Sequence, residues 1–370
     1  MNPTEAALSL LHSPGIGART IQELLANFGS PDNALKASDT ELKTAGLNSS
    51  QISALRSTSA DNYAADLDWA ALDGNHLIAI NDPLYPASLS EIIDPPAMLY
   101  ITGDPEVLGT PQVAMVGSRN PTAGGVENAE RFAAELATRG LCVTSGLASG
   151  IDAASHRGAL SVNGLSIAVT GTGLDRVYPA SNRELAHQLA DQGALVSELP
   201  IGTPPKPHNF PRRNRIISAL SCGVLVVEAT VRSGSLITAR MASEQGREVL
   251  AIPGSIHNPM ARGCHALIRQ GAKLVETAED VLEELASQIN PAAIQQLPNS
   301  DSNFPKSAED AADADPEYAN LIEAMGHDPV SVDTLIERSG LSSAELSSML
   351  LMLELTGKVS KASGGRYTLK

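Results

Sequence analysis

Aromatic side chains are scarce in these 370 residues: four Phe, six Tyr and one Trp, 3% of the chain. A phenylalanine in a polar stretch therefore calls for a reason. Cysteine is rarer still. Cys142, Cys222 and Cys264 lie far apart with no C-x-x-C pair, which argues against a zinc site or a disulfide framework and fits a reducing cytosol. No apolar run approaches the roughly 18–20 residues that a membrane span needs. The N-terminus carries no basic region followed by an apolar run, so no signal peptide and no membrane contact are expected, and the protein reads as cytoplasmic.

Several signatures of chemistry are missing as well. No G-x-x-x-x-G-K-[ST] occurs, which argues against a P-loop ATPase. "GTGLDR" at 171–176 fails the G-x-G-x-x-G spacing, and no acidic residue stands where a dinucleotide ribose would need one. The eight histidines do not cluster at metal-ligand spacing, and no G-x-S-x-G nucleophile elbow is evident. The expectation is a protein with no cofactor, no metal and no catalytic residue.

Positive charge is the next deficit: 26 Lys and Arg against 42 Asp and Glu, a formal net charge of −16. One region reverses it. Between 206 and 269 stand Lys206, Arg212, Arg213, Arg215, Arg232, Arg240, Arg247, Arg262 and Arg269, against Glu228, Glu244 and Glu248 alone. The densest part is "KPHNFPRRNRIISAL", 206–220, where four cations surround Phe210. Local distribution matters more than the total when the partner is a polyanion.

Pattern divides the chain into four. Residues 1–62 read as short helices with turns at "SPGIGA", "FGSPD" and "AGLNSS", and "SPGIGARTIQELL" has the look of a helix-hairpin-helix turn or of a plain inter-helix turn. Residues 63–290 alternate apolar runs with helical stretches. "QVAMVG", "LCVTSG", "LSIAVTG", "ALVSEL", "GVLVVEA" and "EVLAIPG" are strands, with "HLIAI" and "AMLYI" before them. Runs apolar on both faces and separated by helices indicate an α/β fold with a parallel sheet covered on both sides. Residues 291–316 lack periodicity, carry five acidic residues and one lysine, and read as a flexible acidic linker. Residues 317–370 give three helices and a Gly-Gly hairpin, a winged-helix pattern.

Candidate ligand contacts gather at the strand ends. "QVAMVG" runs into "SRNPTAGG", so Gly117, Ser118 and Arg119 offer backbone N–H groups and a guanidinium to a phosphate. "TSGLASGID" supplies Ser145 and Gly146, small residues that either admit a ligand or allow tight helix–sheet packing; packing is the stronger reading for that loop alone. "VRSGSLIT" supplies Ser233, Gly234 and Ser235 at the same sheet edge. Lys206, Arg212, Arg213 and Arg215 can follow a phosphate backbone. Phe210, between prolines and polar residues, can stack on a base or else staple the helix "RRNRIISAL" to the sheet. A basic groove with an isolated aromatic is the physical recipe for single-stranded nucleic acid.

"GSR", "SGLASGIDAASHRGAL", "FPRRNRIISALS" and "SGSLITARMASEQGREVLAIPG" together resemble the DNA-processing protein A (DprA) family over nearly all of 75–285. The resemblance implies an N-terminal helical SAM-like domain, an extended Rossmann-like domain and a C-terminal winged helix. It implies binding of single-stranded DNA taken up in natural transformation, protection of that strand, loading of the RecA recombinase and dimerisation through the Rossmann-like domain. Carried onto this chain, the G-S-R motif gives Gly117, Ser118 and Arg119 as phosphate contacts. The F-P-x-R-N-R motif gives Phe210 for stacking, with Arg212, Arg213 and Arg215 for charge and Lys206 just upstream. One departure stands out: the third helix of the winged-helix segment, "SSAELSSMLLMLELTG", has Glu345 and Glu354 and no basic residue before Lys358. A protein-contact role suits it better than duplex reading. Two further readings are a phosphoribohydrolase-type nucleotide enzyme, whose P-G-G-x-G-T-x-x-E signature is absent, and a winged-helix transcriptional regulator, disfavoured by that acidic helix.

Overall fold

A computed structural model describes residues 2–288, 316–325, 329–362 and 364–369. The linker expected at 291–316 falls outside the described residues, apart from Pro316.

The central element is a nine-stranded sheet in the order β1-β2-β6-β5-β4-β3-β7-β8-β9. Its strands are β1 (Asn75–Ala79), β2 (Met98–Gly103), β3 (Gln112–Val116), β4 (Cys142–Ser145), β5 (Ser166–Val169), β6 (Ala194–Ser197), β7 (Gly223–Val226), β8 (Glu248–Ala251) and β9 (Lys273–Leu274). From β6 to β9 every pairing is parallel; β1 and β2 form an antiparallel edge, β2 pairing with β6. Strands β3 to β7 are buried at every position, which is why they read as unbroken apolar runs. One layer of helices covers one face, with Ile216, Ile217, Leu220, Ala239 and Ala242 packed on Val116, Val169 and Val226. A second layer covers the other, with Phe132, Leu136, Ile151, Ala154, Val281 and Leu285 packed on Met115, Val143 and Leu225.

Connectivity makes the crevice. The chain leaves β3 towards β4, β5 and β6 on one side, then returns to place β7, β8 and β9 on the other. The loops after β3 and β7 therefore diverge, and a doubly wound sheet takes its ligands where such loops part.

The N-terminal region is a set of short helices: Pro3–His12, Ala18–Phe28, Pro31–Lys36, Asp39–Thr44 and Ser49–Ser57. Reciprocal capping boxes at Ser38/Glu41 and Asn48/Gln51 define two of their starts. Their common core comprises Leu10, Ile21, Leu24, Leu42, Ile52 and Leu55. Helix continues past residue 62 through Ala64–Ala70. Trp69 of that helix meets Tyr100 of β2 at 5.8 Å between centroids, and Ala7 and Leu8 share this cluster. The helical region is thus seated on the antiparallel edge of the sheet.

The C-terminal region has helices Pro316–Met325, Val332–Ser339 and Ser343–Leu355, with strands β10 (Val330–Ser331), β11 (Val359–Ala362) and β12 (Arg366–Leu369) in the order β10-β12-β11. That is a winged helix, with Leu321, Leu335, Leu346, Leu350 and Leu353 at its centre. The helix Ser343–Leu355 turns Leu346, Met349, Leu350 and Leu353 inward and leaves Leu351, Met352 and Leu355 exposed. Among the described residues no helix is long and apolar enough to cross a membrane.

At the sheet reversal Glu228, beyond β7, accepts hydrogen bonds from Thr122 N (2.9 Å) and Thr122 Oγ1 (2.6 Å). Thr122 in turn caps the helix Ala123–Thr138 through Gly125 N. A Cβ on Gly125 would collide with the Glu228 carboxylate, whereas one on Gly124 would meet only Thr122 Oγ1 at 4.0 Å. Two adjacent glycines in one helical turn should therefore respond oppositely. Gly124→Ala should be neutral or stabilise by up to about 1 kcal/mol, the usual helical gain. Gly125→Ala should destabilise by about 1–3 kcal/mol, the cost of overpacking. Thermal melts of the two variants check this; equal melting temperatures would remove the special role given to the Glu228 contact.

Candidate nucleic-acid interface

A cleft of about 590 Å³ opens at the sheet reversal, lined by residues from the loops after β3, β4, β5, β6 and β7, by Asp152 of the helix Ile151–Ser161 and by two further helices. Those helices are Asn209–Leu220 and Ser235–Glu244. Phe210, Arg213, Asn214 and Ile217 line the cleft from the first, at the i, i+3, i+4, i+7 spacing of one helical face. Ser235, Ile237 and Thr238 line it from the second. Both helices bring their N-terminal turns to the cleft, where the positive end of the helix dipole favours an anion, although Ser235 N, Leu236 N and Ile237 N are already bonded to Ser233 Oγ, Ser233 O and Gly234 O.

Phe210 lies in the first turn of its helix rather than in a loop. Pro211 is tolerated there because the first N–H groups of a helix have no intrahelical partner. The half-buried ring rests on Gly171, where a Cβ would approach Cδ1 to 2.9 Å. Tyr178 stands 5.5 Å away, centroid to centroid, and the Arg119 guanidinium carbon lies 5.9 Å from the Phe210 centroid. One aromatic ring, one exposed tyrosine and one exposed guanidinium thus converge on the cleft mouth.

Gly117, Ser118 and Arg119 lie along the rim, directly after β3. Ile151 N donates to Ser118 O at 3.0 Å and Asn120 N to Ser118 Oγ at 3.1 Å, so this loop has a fixed course and leaves Arg119 exposed. Ser233, Gly234 and Ser235 form the opposite rim, with 2.7 Å between the two hydroxyls. Lys206 is exposed one residue before the lining Pro207.

Arg213 and Asp152 form the floor. Arg213 is 5% exposed and donates Nη1 to the Val169 carbonyl; Asp152 is 8% exposed and accepts from Ala148 N at 3.3 Å. Burial pulls the Arg213 pKa down to about 10, with Arg119 adding to the shift and Asp152 opposing it. Burial likewise raises the Asp152 pKa, against the attraction of Arg213 and the Ala148 N–H. Positive charge at the rim is therefore accessible, while at the floor it is buried and faced by a carboxyl group.

Several sequence-level candidates lie elsewhere. Ser145 is wholly buried within β4 and donates its hydroxyl to Met115 O at 2.6 Å. Gly146 is buried between Arg213 and Asp152 and shows no surface to the cleft. The expectation that Arg212 and Arg215 share a groove with Arg213 is corrected by helical geometry. Both residues line a separate pocket of about 280 Å³ on another side of the helix. Arg215 is 5% exposed, with Nε on Asp94 (2.8 Å) and Nη2 on Glu198 (2.6 Å). Arg212 Nη2 reaches the same Glu198 oxygen at 2.9 Å. Conversely, Asn214, Thr230, Thr238 and the aromatic ring of Tyr178 were not singled out by sequence pattern, and all four line the cleft. The tyrosine had a usable signal, a scarce aromatic inside a glycine-rich strand-end loop. Among the described residues no group of three or more His, Cys, Asp or Glu is placed to hold a metal ion.

Comparison with known proteins identifies the family and the fold. Residues 76–286 match the family model for DNA recombination-mediator protein A, and residues 305–365 match the DprA winged helix domain. Protein Smf of Escherichia coli is 43% identical over 330 residues, 89% of this chain and 87% of that one. DNA processing protein DprA of Bacillus subtilis is 46% identical over 213 residues, 57% of this chain and 72% of that one. Among solved structures, DNA processing protein A from Streptococcus pneumoniae superposes with a TM-score of 0.69 at 37% identity, covering 77% of this chain and 98% of that one. The Helicobacter pylori protein, whose structure describes a single-stranded DNA binding mode, gives 0.52 at 29% identity, covering 55% of this chain and 94% of that one.

The floor makes its own prediction. A Cβ at Gly146 would stand 2.6 Å from Asp152 Oδ2 and collide with Arg213 Nη1. Gly146→Ala should destabilise by about 1–3 kcal/mol, because both neighbours are buried and neither can swing clear. A urea melt that keeps its wild-type midpoint would show that the floor yields, and the rigid pairing would have to be abandoned.

Proposed function

The chain belongs to the DNA recombination-mediator protein A family, and on that premise we propose that it binds single-stranded DNA in the cleft at the sheet reversal. The observation that carries the reading is the convergence of Phe210, Tyr178 and Arg119 with two helix N-termini at one cleft mouth. Phosphates belong at the rim, against Arg119, the backbone of Gly117 and Ser118, and the turn Ser233–Gly234–Ser235. A base belongs over Phe210. The Asp152 carboxyl on the floor disfavours a phosphate there and leaves the depth of the cleft to neutral groups. Single strands suit this arrangement because their bases are free to leave the stack and lie on a ring.

The rest of the proposal follows the family. The bound strand is protected and handed to the RecA recombinase in transformation and recombination. The protein works in the cytoplasm as a homodimer and as a binding protein, not as an enzyme. The dimer rests on family membership alone, because the β9 edge, two residues long and carrying the exposed Lys273, is blunted against strand pairing. The winged helix, with Leu351, Met352 and Leu355 outward, suits protein contact.

Salt-titrated binding separates the terms. Affinity for a single-stranded oligonucleotide should fall linearly in log salt, with a slope of about −0.7 per phosphate neutralised, and should exceed duplex affinity. Arg119→Ala should reduce both affinity and slope. Phe210→Ala should cost about 1–3 kcal/mol with the slope unchanged, because stacking releases no counterions. Gly171→Ala, which pushes the ring off its seat, should act in the same direction with a smaller loss. Arg212→Ala should change neither quantity. A slope insensitive to Arg119, or one sensitive to Arg212, would move the strand to another face.

Every cleft-lining residue lies between 116 and 238. Removing residues 289–370 should accordingly leave single-strand affinity within about tenfold of the full chain, or 1.4 kcal/mol. A larger loss in a truncation with native circular dichroism would place part of the DNA site in the winged helix.

A further inference from the structure

The pocket that holds Arg212 and Arg215 is a second built site. Its walls come from the turn after the helix Ala87–Ser90, from Asn209–Leu220 and from the end of Ser235–Glu244. Three guanidinium groups line it: Arg212, Arg215 and Arg247. Arg215 commits Nε to Asp94 and Nη2 to Glu198, and its Nη1 is buried without a partner among the described residues. Arg247 Nε is likewise buried and unpartnered. Two orphaned N–H donors of fixed guanidinium geometry therefore belong to residues of one pocket wall. The wall is held in place: Gln245 Nε2 donates to Arg215 O at 3.2 Å, and Ser218 Oγ donates to Gln245 Oε1 at 2.7 Å.

The remaining lining decides what kind of anion fits. Glu91, Asp94 and Glu244 stand in the same pocket, so its net charge is balanced and supplies no net attraction for a polyanion or a dianionic phosphate. Ile92, Ile93 and Met241 supply an apolar side, and Ile93 is 87% exposed at the lip. Guanidinium groups pair with carboxylates through two parallel N–H donors. We infer that this pocket binds a single carboxylate carried beside an apolar side chain, as at the C-terminus of a peptide ending in an apolar residue. The carboxylate meets Arg215 and Arg247, and the last side chain lies on Ile92, Ile93 and Met241. The site is separate from the DNA cleft, which uses another side of the same helix.

Methyl spectra of the full chain labelled at Ile and Met test the assignment, with N-acetyl-phenylalanine as the probe and N-acetyl-phenylalaninamide and inorganic phosphate as controls. The carboxylate should shift the Ile92, Ile93 and Met241 methyl signals saturably, and the amide should bind at least about tenfold more weakly. Arg247→Gln should abolish the difference between acid and amide, and Ile93→Asp, on the exposed lip, should weaken the acid without unfolding the protein. A single-stranded oligonucleotide should leave the titration unchanged, so a failed pocket and a failed DNA reading give different results. Equal binding of acid and amide would reduce the site to an apolar patch. Phosphate binding as well as the acid would make it a general anion site, and competition by the oligonucleotide would make it part of the DNA path. Any of these, or no saturable shift, overturns the assignment.

Discussion

The Glu228 carboxylate sets where this sheet can take a ligand. In a doubly wound sheet the N-terminus of the first crossover helix is the customary seat of a dinucleotide pyrophosphate. Here that helix is Ala123–Thr138, and Glu228 already occupies its approach, bonded to Thr122 N and Oγ1 and pressed against Gly125. An internal anion supplies the complement to the helix dipole. The same bonds tie the loop after β3 to the end of β7, so the Gly117–Ser118–Arg119 turn has its course fixed from both sides. The cleft is displaced towards the helices Asn209–Leu220 and Ser235–Glu244, whose N-terminal turns line it. The approach that a nucleotide cofactor would use in such a fold is thereby filled from within.

Charge in the cleft is layered. Arg119 and Lys206 are exposed and can follow a phosphate, which makes their contribution salt-dependent. Arg213 is buried, hydrogen-bonded to Val169 O and faced by Asp152 across Gly146, so it acts as scaffold and local field. A net charge of −16 is compatible with binding a polyanion because local charge matters more than the total, and Arg119 and Lys206 stand exposed at the cleft.

The sheet was legible because its strands are buried on both faces; apolar runs such as "VAMV" and "VLVV" permit little else. β9 was not, since Lys273 and Leu274 are both exposed and only two residues long. The Gly-Ser-Arg loop and Phe210 were legible as strand-end and aromatic signals. The arginine cluster was legible as charge but not as geometry. Sequence proximity does not say that residues two apart on a helix are turned about 200° from one another. Nor does it reveal the acids that claim them: Asp94 stands 121 positions from Arg215, and Glu198 stands 17. Ser145 was misplaced by a related ambiguity, since the last residue of a buried strand and the first of a ligand loop look alike until the hydroxyl finds Met115 O.

One helix therefore serves two surfaces. Phe210, Arg213, Asn214 and Ile217 belong to the cleft, while Arg212 and Arg215 belong to the pocket behind it. The pairs that hold Arg215 are an expensive way to secure a helix. A buried ion pair loses much of its Coulomb gain to desolvation, and well-packed apolar side chains of similar volume often do as well or better. Stability alone thus gives little reason for Arg215 and Glu198, each about 5% exposed, to face one another there. What the pair does provide is orientation. Glu198 fixes Nη2 of both Arg212 and Arg215, and Asp94 fixes Nε of Arg215, which leaves one guanidinium edge unclaimed. A guanidinium held through two of its nitrogens, with the third buried and unsatisfied among the described residues, is already oriented for an anion that reaches it, and such preorganisation lowers the ordering cost of binding.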